Sequence, residues 1–300
     1  SNIADVSRIL NEKNIITNKQ IFRIAVWTLG HDKKFPAGSY TLNGARSNYQ
    51  IIDQLVHGAP NLKRVTVYEG WTLNAIAAEL ERVLGTDAED FLELCENKNL
   101  LKKWNINHIS FEGFLFPDTY YFLEDQHPEE IMETMVKEYH NCMTDSLRNR
   151  AQELGFNINE VVTLASIIEG EALYNSERPV ISAVYHNRLQ KGMKLQADPT
   201  IQYIIDDGPR RLLKKDLKIE SPYNTYLNKG LPPGPINNPG KESILAALYP
   251  LKNDFLYFVA RGDGYHAFTK TEGEHNKAKR KFQKVRRKVR KEEKMKKINS

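Results

Sequence analysis

"VVTLASIIEGEALY", Val161–Tyr174, is the stretch on which the fold turns. An apolar run with helical spacing meets two acids, Glu169 and Glu171, separated by Gly170. At 100° per residue, Val161, Leu164, Ala165, Ile168 and Ala172 form one stripe, and the two glutamates fall roughly 80° to either side of it. Periodicity does not choose between them. Gly170 reads as a helix stop, which makes Glu169 the last full helical residue. A carboxyl group at the carbonyl end of a helix and against apolar walls holds its proton more tightly than one in water. That is the property of a glycosidase acid. A solvated helix end with two surface acids satisfies the same pattern.

Outward from this stretch the chain alternates short strand and helix signals. Upstream, Glu129–Leu154 reads as one long helix, and Asn159 is placed to cap the helix that follows. "FEGFLFPDTYYF", Phe111–Phe122, is rich in aromatics around a Pro117-Asp118 turn. It reads as a core strand pair or as a cleft wall, since aromatic faces pack on sugar rings. A helical stretch spans 88–103. "VTVYEGWTLNAIAAELERVLG" gives a strand at Val65–Tyr68, a Glu69-Gly70 turn, a Thr72 cap and a helix closed by Gly85. "FPAGSYTLNGARSNYQIIDQLVHG" repeats the idea, with a Pro-Gly turn, a strand-like piece and a helix around Ile51, Leu55 and Val56 closed by Gly58. Residues 1–20 read as a polar lead-in.

Downstream, Ser176 is placed to cap a helix through Val180, Val184 and Leu189, and Asp198-Pro199 opens a short helix through Ile201 and Ile204. Ser221–Gly240 is a Pro/Gly/Asn-rich loop, long enough to be functional. Tyr223, Asn224 and Tyr226 argue that it is ordered. A helix in "ESILAALYP" and two strands joined by "RGDG" complete the body. The fold class is therefore α+β: small β–turn–helix modules, a larger mixed α+β domain and a basic helical tail.

Bulk properties bound the reading. At 300 residues the chain has room for two domains. Net charge is +5, but Lys277–Lys297 alone carries +11, so the remainder is mildly acidic at −6. A body that binds nucleic acid is not supported. The two cysteines, Cys95 and Cys142, suit free thiols or one disulfide, and no metal-ligand spacing, phosphate loop or nucleophile elbow occurs. No apolar run reaches the ~20 residues that span a bilayer. Ser1-Asn2 reads as a cleavage scar, which places any N-terminal anchor or signal before residue 1.

"LASIIEGEA", "SERPVISAVYHNRL", "GMKLQADPTIQY", "SPYNTYLNKGLPPGPINNPG" and "LYFVARGDGYHAFTKTEGEHN", in this order and with "EGFLFPDTYYF" upstream, resemble the YceG-like family of endolytic murein transglycosylases. The resemblance covers roughly residues 20–276, and "VYEGWTLNAIAAEL" looks like that family's LysM-like segment. It implies a lead-in at 1–20 after a membrane anchor, a LysM-like region at 21–105, a YceG-like catalytic domain at 106–276 and a tail at 277–300 lying outside the pattern. It implies a lytic transglycosylase that cleaves the MurNAc–GlcNAc β-1,4 bond within glycan strands and leaves 1,6-anhydro-MurNAc ends, terminating strand elongation. No cofactor or metal is implied. The implied partners are peptidoglycan strands and cell-wall synthesis proteins such as penicillin-binding proteins, at the outer, periplasmic face of the cytoplasmic membrane.

The family's catalytic glutamate matches Glu169, with Glu171 as a structural or supporting neighbour. Gln196, Asp198, Thr200, Tyr223, Asn224 and Tyr226 are the candidate substrate-binding residues. Each has a plainer use: Asp198 as a helix cap, Tyr and Asn as ties within the loop. His266 reads as a structural histidine in a strand. Two rival functions stay open: a non-catalytic peptidoglycan-binding protein, and an anionic-surface binder acting through its tail.

Overall fold

A computed structural model describes residues 3–31, 35, 40, 42, 47–57, 62–124 and 126–298, with the backbone alone at 285, 286 and 288–298. The chain forms two compact units. The first comprises residues 1–65, 79–87 and 119–127. Helices α1 (Ile3–Glu12), α2 (Lys19–Thr28) and α3 (Asn48–His57) bury Leu10, Ile16, Phe22, Val26, Ile51, Ile52 and Leu55 together. The segment read as a polar lead-in is thus a helix whose Leu10 enters a core. Asn18 starts α2 by accepting from the backbone N–H of Gln20 and Ile21, at 2.9 and 3.1 Å. The Pro-Gly turn and strand-like piece read between Phe35 and Arg46, and the Gly58 stop, lie outside the described residues apart from positions 35, 40 and 42. Strands β1 (Leu62–Thr66) and β2 (Thr119–Leu123) form a two-stranded sheet.

The second unit holds residues 66–78, 88–118 and 128–300. Its centre is α9 (Ile158–Glu171), in which every residue from Val161 to Ile168 is buried. A helix buried on all sides needs partners all round. The expected single stripe is therefore widened: Val162, Thr163, Ser166 and Ile167 are buried as well. The two hydroxyls are satisfied inside the helix, Thr163 donating to the Asn159 carbonyl at 2.7 Å and Ser166 to the Thr163 carbonyl at 2.8 Å. Asn157, not Asn159, caps the helix: it and Glu160 exchange hydrogen bonds in a capping box.

Around α9 pack α8 (Asp145–Glu153), α10 (Arg178–Gln190), α11 (Asp198–Ile204) and α12 (Lys241–Leu248). Two helices expected whole are broken. The long one divides into α7 (Pro128–Cys142) and α8, because Thr144 takes extended backbone and Arg148 ties back to the Met143 carbonyl at 3.1 Å. The break lets Leu147 and Ala151 turn inward. Residues 88–103 divide into α5 (Ala88–Cys95) and α6 (Lys98–Lys103) at Asn97, whose side chain caps α6. The helix after Tyr174 starts at Arg178 rather than at Ser176, which lies in a short 3-10 turn, Asn175–Glu177. Helix α4 (Leu73–Leu84) begins after Thr72, whose hydroxyl accepts from Ala75 N–H at 3.4 Å.

Strands β3 (Tyr257–Ala260) and β4 (His266–Thr269) pair antiparallel, Tyr257 opposite Thr269. Helix α13 (Glu272–Ile298) follows and packs against this hairpin. His266 is tied to buried Glu177 by its ring nitrogen and by its backbone N–H, both at 2.9 Å. The aromatic stretch 111–122 is not a strand pair. Phe111, Phe114 and Leu115 are core residues of a turn that precedes β2. Both cysteines are free thiols, Cys95 buried. Among the described residues no helix is long and apolar enough to cross a membrane.

Candidate active site

Helix α9 does not stop at Gly170; it runs to Glu171 and is closed by the extended backbone of Ala172. Gly170 serves packing instead. A Cβ there would lie 2.6 Å from Pro199 Cβ, so the absent side chain lets the first turn of α11 sit against α9. The two acids consequently part company, as their places on the helical wheel require.

Glu169 is held firmly. One carboxylate oxygen accepts from Arg178 Nη2 at 2.5 Å, the other from the Gly240 backbone N–H at 3.0 Å. Gly240 is the N-cap of α12, so the carboxylate sits at the positive end of that helix. Arg178 is buried and fully engaged: Nε donates to Ser243 Oγ at 2.8 Å, Nη1 to Asn175 Oδ1, and Nη2 lies 3.7 Å from Glu69 Oε2. The walls around Glu169 are thus polar and charged, not the apolar walls expected from the sequence pattern.

Glu171 faces a cleft of about 1190 Å³, somewhat larger than the usual ~300–1,000 Å³ of ligand pockets. Its Oε1 accepts from the hydroxyl of buried Tyr185 at 2.8 Å. Burial pushes its pKa up to about 7; the Tyr185 hydroxyl, Arg188 and the Asp198 backbone oppose the rise, and the Asp198 charge adds to it. A carboxyl group that keeps a proton near neutral pH therefore lines this cleft. Glu112 lines it too, and burial raises its pKa to about 8 against the backbone and Asn238 hydrogen bonds that lower it. Trp71 and Tyr203 supply aromatic surface, and Asp198, Gln202 and Asn237 polar groups.

The residues singled out from sequence separate into groups. Asp198 lines the cleft and is the first residue of α11 rather than its cap; its carboxylate accepts from Tyr226 Oη at 2.5 Å. Tyr223 packs against the cleft residue Tyr203, with ring centroids 5.0 Å apart. Gln196 is exposed, at a left-handed φ of 50°. A non-glycine residue there stores strain of the kind concentrated at functional sites. Thr200 and Asn224 are buried. Thr200 bonds Thr225 and the Ala197 carbonyl, while Asn224 donates to the carbonyls of Leu217 and Ile219. Their polar atoms are committed to holding the loop.

Sequence reading missed Arg178, Glu69, Glu112, Tyr185 and Trp71. Glu69 and Trp71 belong to the "EGW" turn and Arg178 precedes Pro179 in "SERP", so each read as local punctuation. Asn238 is the residue that gathers these segments. Its Oδ1 accepts from Gly113 N–H at 3.0 Å and Leu115 N–H at 2.9 Å, and its Nδ2 donates to the Trp71 carbonyl at 2.9 Å and to Glu112 Oε1 at 3.0 Å.

The α+β fold is shared with a solved relative. A crystal structure of a YceG-like protein from Listeria monocytogenes superimposes with a TM-score of 0.67 at 35% identity, covering 92% of this chain and 95% of that one. The YceG-like family matches residues 1–281. The chain belongs to the YceG-like family. An endolytic murein transglycosylase of Bacillus subtilis strain 168 is 38% identical over 94% of this chain and 82% of its own length. One of the same name from Streptococcus pneumoniae D39 is 28% identical over 93% of this chain, which spans 56% of that protein.

Proposed function

We propose that this protein is a peptidoglycan lytic transglycosylase that cleaves the MurNAc–GlcNAc β-1,4 bond within glycan strands and leaves a 1,6-anhydro-MurNAc end. The observation that carries the reading is the acid pair at the end of a helix buried from Val161 to Ile168, one acid anchored and one facing a cleft of about 1190 Å³. The 38% identity with the Bacillus transglycosylase supports it.

Glu169 is the proposed catalytic carboxyl group. Protonated, it gives its proton to the leaving glycosidic oxygen as the sugar passes through an oxocarbenium-like state. The resulting carboxylate takes the proton of the sugar's own C6 hydroxyl, whose oxygen attacks C1. The C1–O4 bond breaks, a C1–O6 bond forms, and no water is consumed. One carboxyl group thus acts as acid and then base. The Gly240 N–H supplies a fixed donor for the carboxylate between the two transfers. Glu171, holding a proton near neutral pH, is a hydrogen-bond donor to the sugar on the cleft side. Asp198, Tyr226, Tyr223 and Gln196 are assigned to substrate contact, and Thr200 and Asn224 to the loop that presents them.

In the same reading, residues 21–105 form a LysM-like region that grips glycan and 106–276 the catalytic region. The enzyme works at the outer face of the cytoplasmic membrane, beside penicillin-binding proteins, where cleavage ends strand growth. The test is mass spectrometry of purified sacculi incubated with the protein. Anhydro-muropeptides are the expected product; glycan binding without them would leave a non-catalytic binding protein in its place.

A further inference from the structure

The ion pair that anchors Glu169 poses a problem for the reaction. A carboxylate bound to a guanidinium at 2.5 Å cannot also hold the proton that the leaving oxygen needs. The structure supplies a second acceptor for the same guanidinium. Glu69, from the turn before α4, places Oε2 3.7 Å from Arg178 Nη2. Its carboxylate lies on the Gly240 backbone, so closely that a Cβ at Gly240 would stand 1.9 Å from Glu69 Oε1. The Gly240 N–H is the donor to Glu169. On the other side of the turn, a Cβ at Gly70 would come within 3.5 Å of Glu169 Cγ. Two carboxyl groups about 100 residues apart in sequence therefore meet over one glycine and one arginine.

Their environments differ in the way a handover requires. Glu169 is enclosed, its side chain 6% exposed, whereas that of Glu69 is 49% exposed. Burial, the Glu169 carboxylate and Glu242 in the first turn of α12 all push the Glu69 pKa up, and only Arg178 pulls it down. Glu69 and Glu169 thus both face the one Arg178 guanidinium, and the guanidinium is contested.

We propose that Glu69 is a positioning residue for Glu169: it takes over the Arg178 guanidinium when glycan enters, leaving Glu169 free to carry the proton it delivers. The proposal rests on the reading of Glu169 as the catalytic carboxyl group. It requires no new contact, only a shift of about 1 Å that exchanges a 2.5 Å and a 3.7 Å pairing.

The experiment measures kcat and KM on purified soluble glycan strands for the wild type and for Glu69→Gln, Glu69→Asp, Arg178→Gln and Glu69→Gln/Arg178→Gln, with thermal melts for each. Glu169→Gln is the control. A neutral amide cannot hold the guanidinium, so Glu69→Gln should lose about tenfold or more in kcat with KM unchanged, the signature of an interaction made on the way to the transition state. Glu69→Asp keeps the charge and should recover most of the loss. In the Arg178→Gln protein no guanidinium remains to hand over, so adding Glu69→Gln should change kcat less than twofold, a non-additivity that a merely structural role would not produce. Wild-type kcat in Glu69→Gln, a rise in KM alone, no recovery by aspartate, or full additivity in the double variant would each overturn the proposal. An active Glu169→Gln protein would instead remove the reading beneath it, which keeps the two failures distinct.

Discussion

Glu169 and Glu171 are two residues apart and share one helix, yet their surroundings assign them different chemistry. Glu169 accepts from a buried arginine and from a helix N-terminus; Glu171 accepts from Tyr185 and looks into the cleft. Glu169→Gln should abolish cleavage in a protein that still melts normally. Acid–base catalysis contributes about 10²–10⁴-fold, and the upper end applies where one group performs both transfers. Glu171→Gln should cost less than about tenfold at pH 6, because an amide keeps the hydrogen-bond donor of the protonated acid. The pH dependence carries a definite sign. Glu171 titrates at about 7, raised by burial, so its donor form is present below that pH and lost above it. Wild-type kcat/KM should therefore fall through pH 7, and Glu171→Gln should fall less steeply there. The check is anhydro-muropeptide release by both variants between pH 5 and 9. An inactive Glu171→Gln beside an active Glu169→Gln would reverse the assignment.

At the scale of elements, the site depends on two close approaches that no periodic pattern announces. The first is α11 against the last turn of α9 at Gly170 and Pro199. Alanine at 170 gains up to ~1 kcal/mol in helix propensity, but overpacking against a rigid proline ring costs about 1–3 kcal/mol. Gly170→Ala should thus lower the melting temperature and, by displacing α11 with Asp198, lower activity more than stability. The second is the Ser221–Gly240 loop, pinned by the four hydrogen bonds of Asn238 to the segments bearing Trp71, Glu112, Gly113 and Leu115. Removing this amide leaves buried donors and acceptors unpaired at ~1–3 kcal/mol each. Asn238→Ala should destabilise the protein by about 3 kcal/mol or more, read by urea denaturation. Asn238→Asp loses the two Nδ2 donors and sets a carboxylate beside Glu112, so it should be no better tolerated.

At the scale of the whole molecule, charge is distributed unevenly: +11 within Lys277–Lys297 against −6 for all other residues. The family match ends at residue 281, so most of this charge lies outside it, on the later turns of α13. Attraction of about 1 kcal/mol per basic residue near an anionic surface gives this segment ample reason to bind such a surface. Removal of 277–300 should abolish co-sedimentation with anionic vesicles while leaving glycan cleavage in solution within about twofold; equal sedimentation of both forms would exclude a role for the tail at membranes. Salt should weaken the binding of the full chain steeply, because the attraction is screened beyond a Debye length of ~8 Å at 0.15 M.

Local rules and remote ones divide what was legible. From the residues alone came the helix that carries Glu169, the Thr72 cap, the short α11 opened by Asp198-Pro199, the β3–β4 hairpin and an ordered Pro-rich loop, because each depends on neighbours within a few positions. The six spaced blocks carry the resemblance to the YceG-like family, to which the chain belongs. The sequence pattern misplaced Gly170 as a stop and ran α7 into α8. Stops and breaks are decided by what packs against them, here Pro199 for one and the burial of Leu147 and Ala151 for the other. Only the tertiary structure could show that Arg178, Glu69 and Gly240 surround Glu169, or that burial raises the pKa of Glu171. Desolvation, ion pairing and a hydrogen bond reached across 71 residues are properties of the assembled space around a side chain, and no window of sequence contains them.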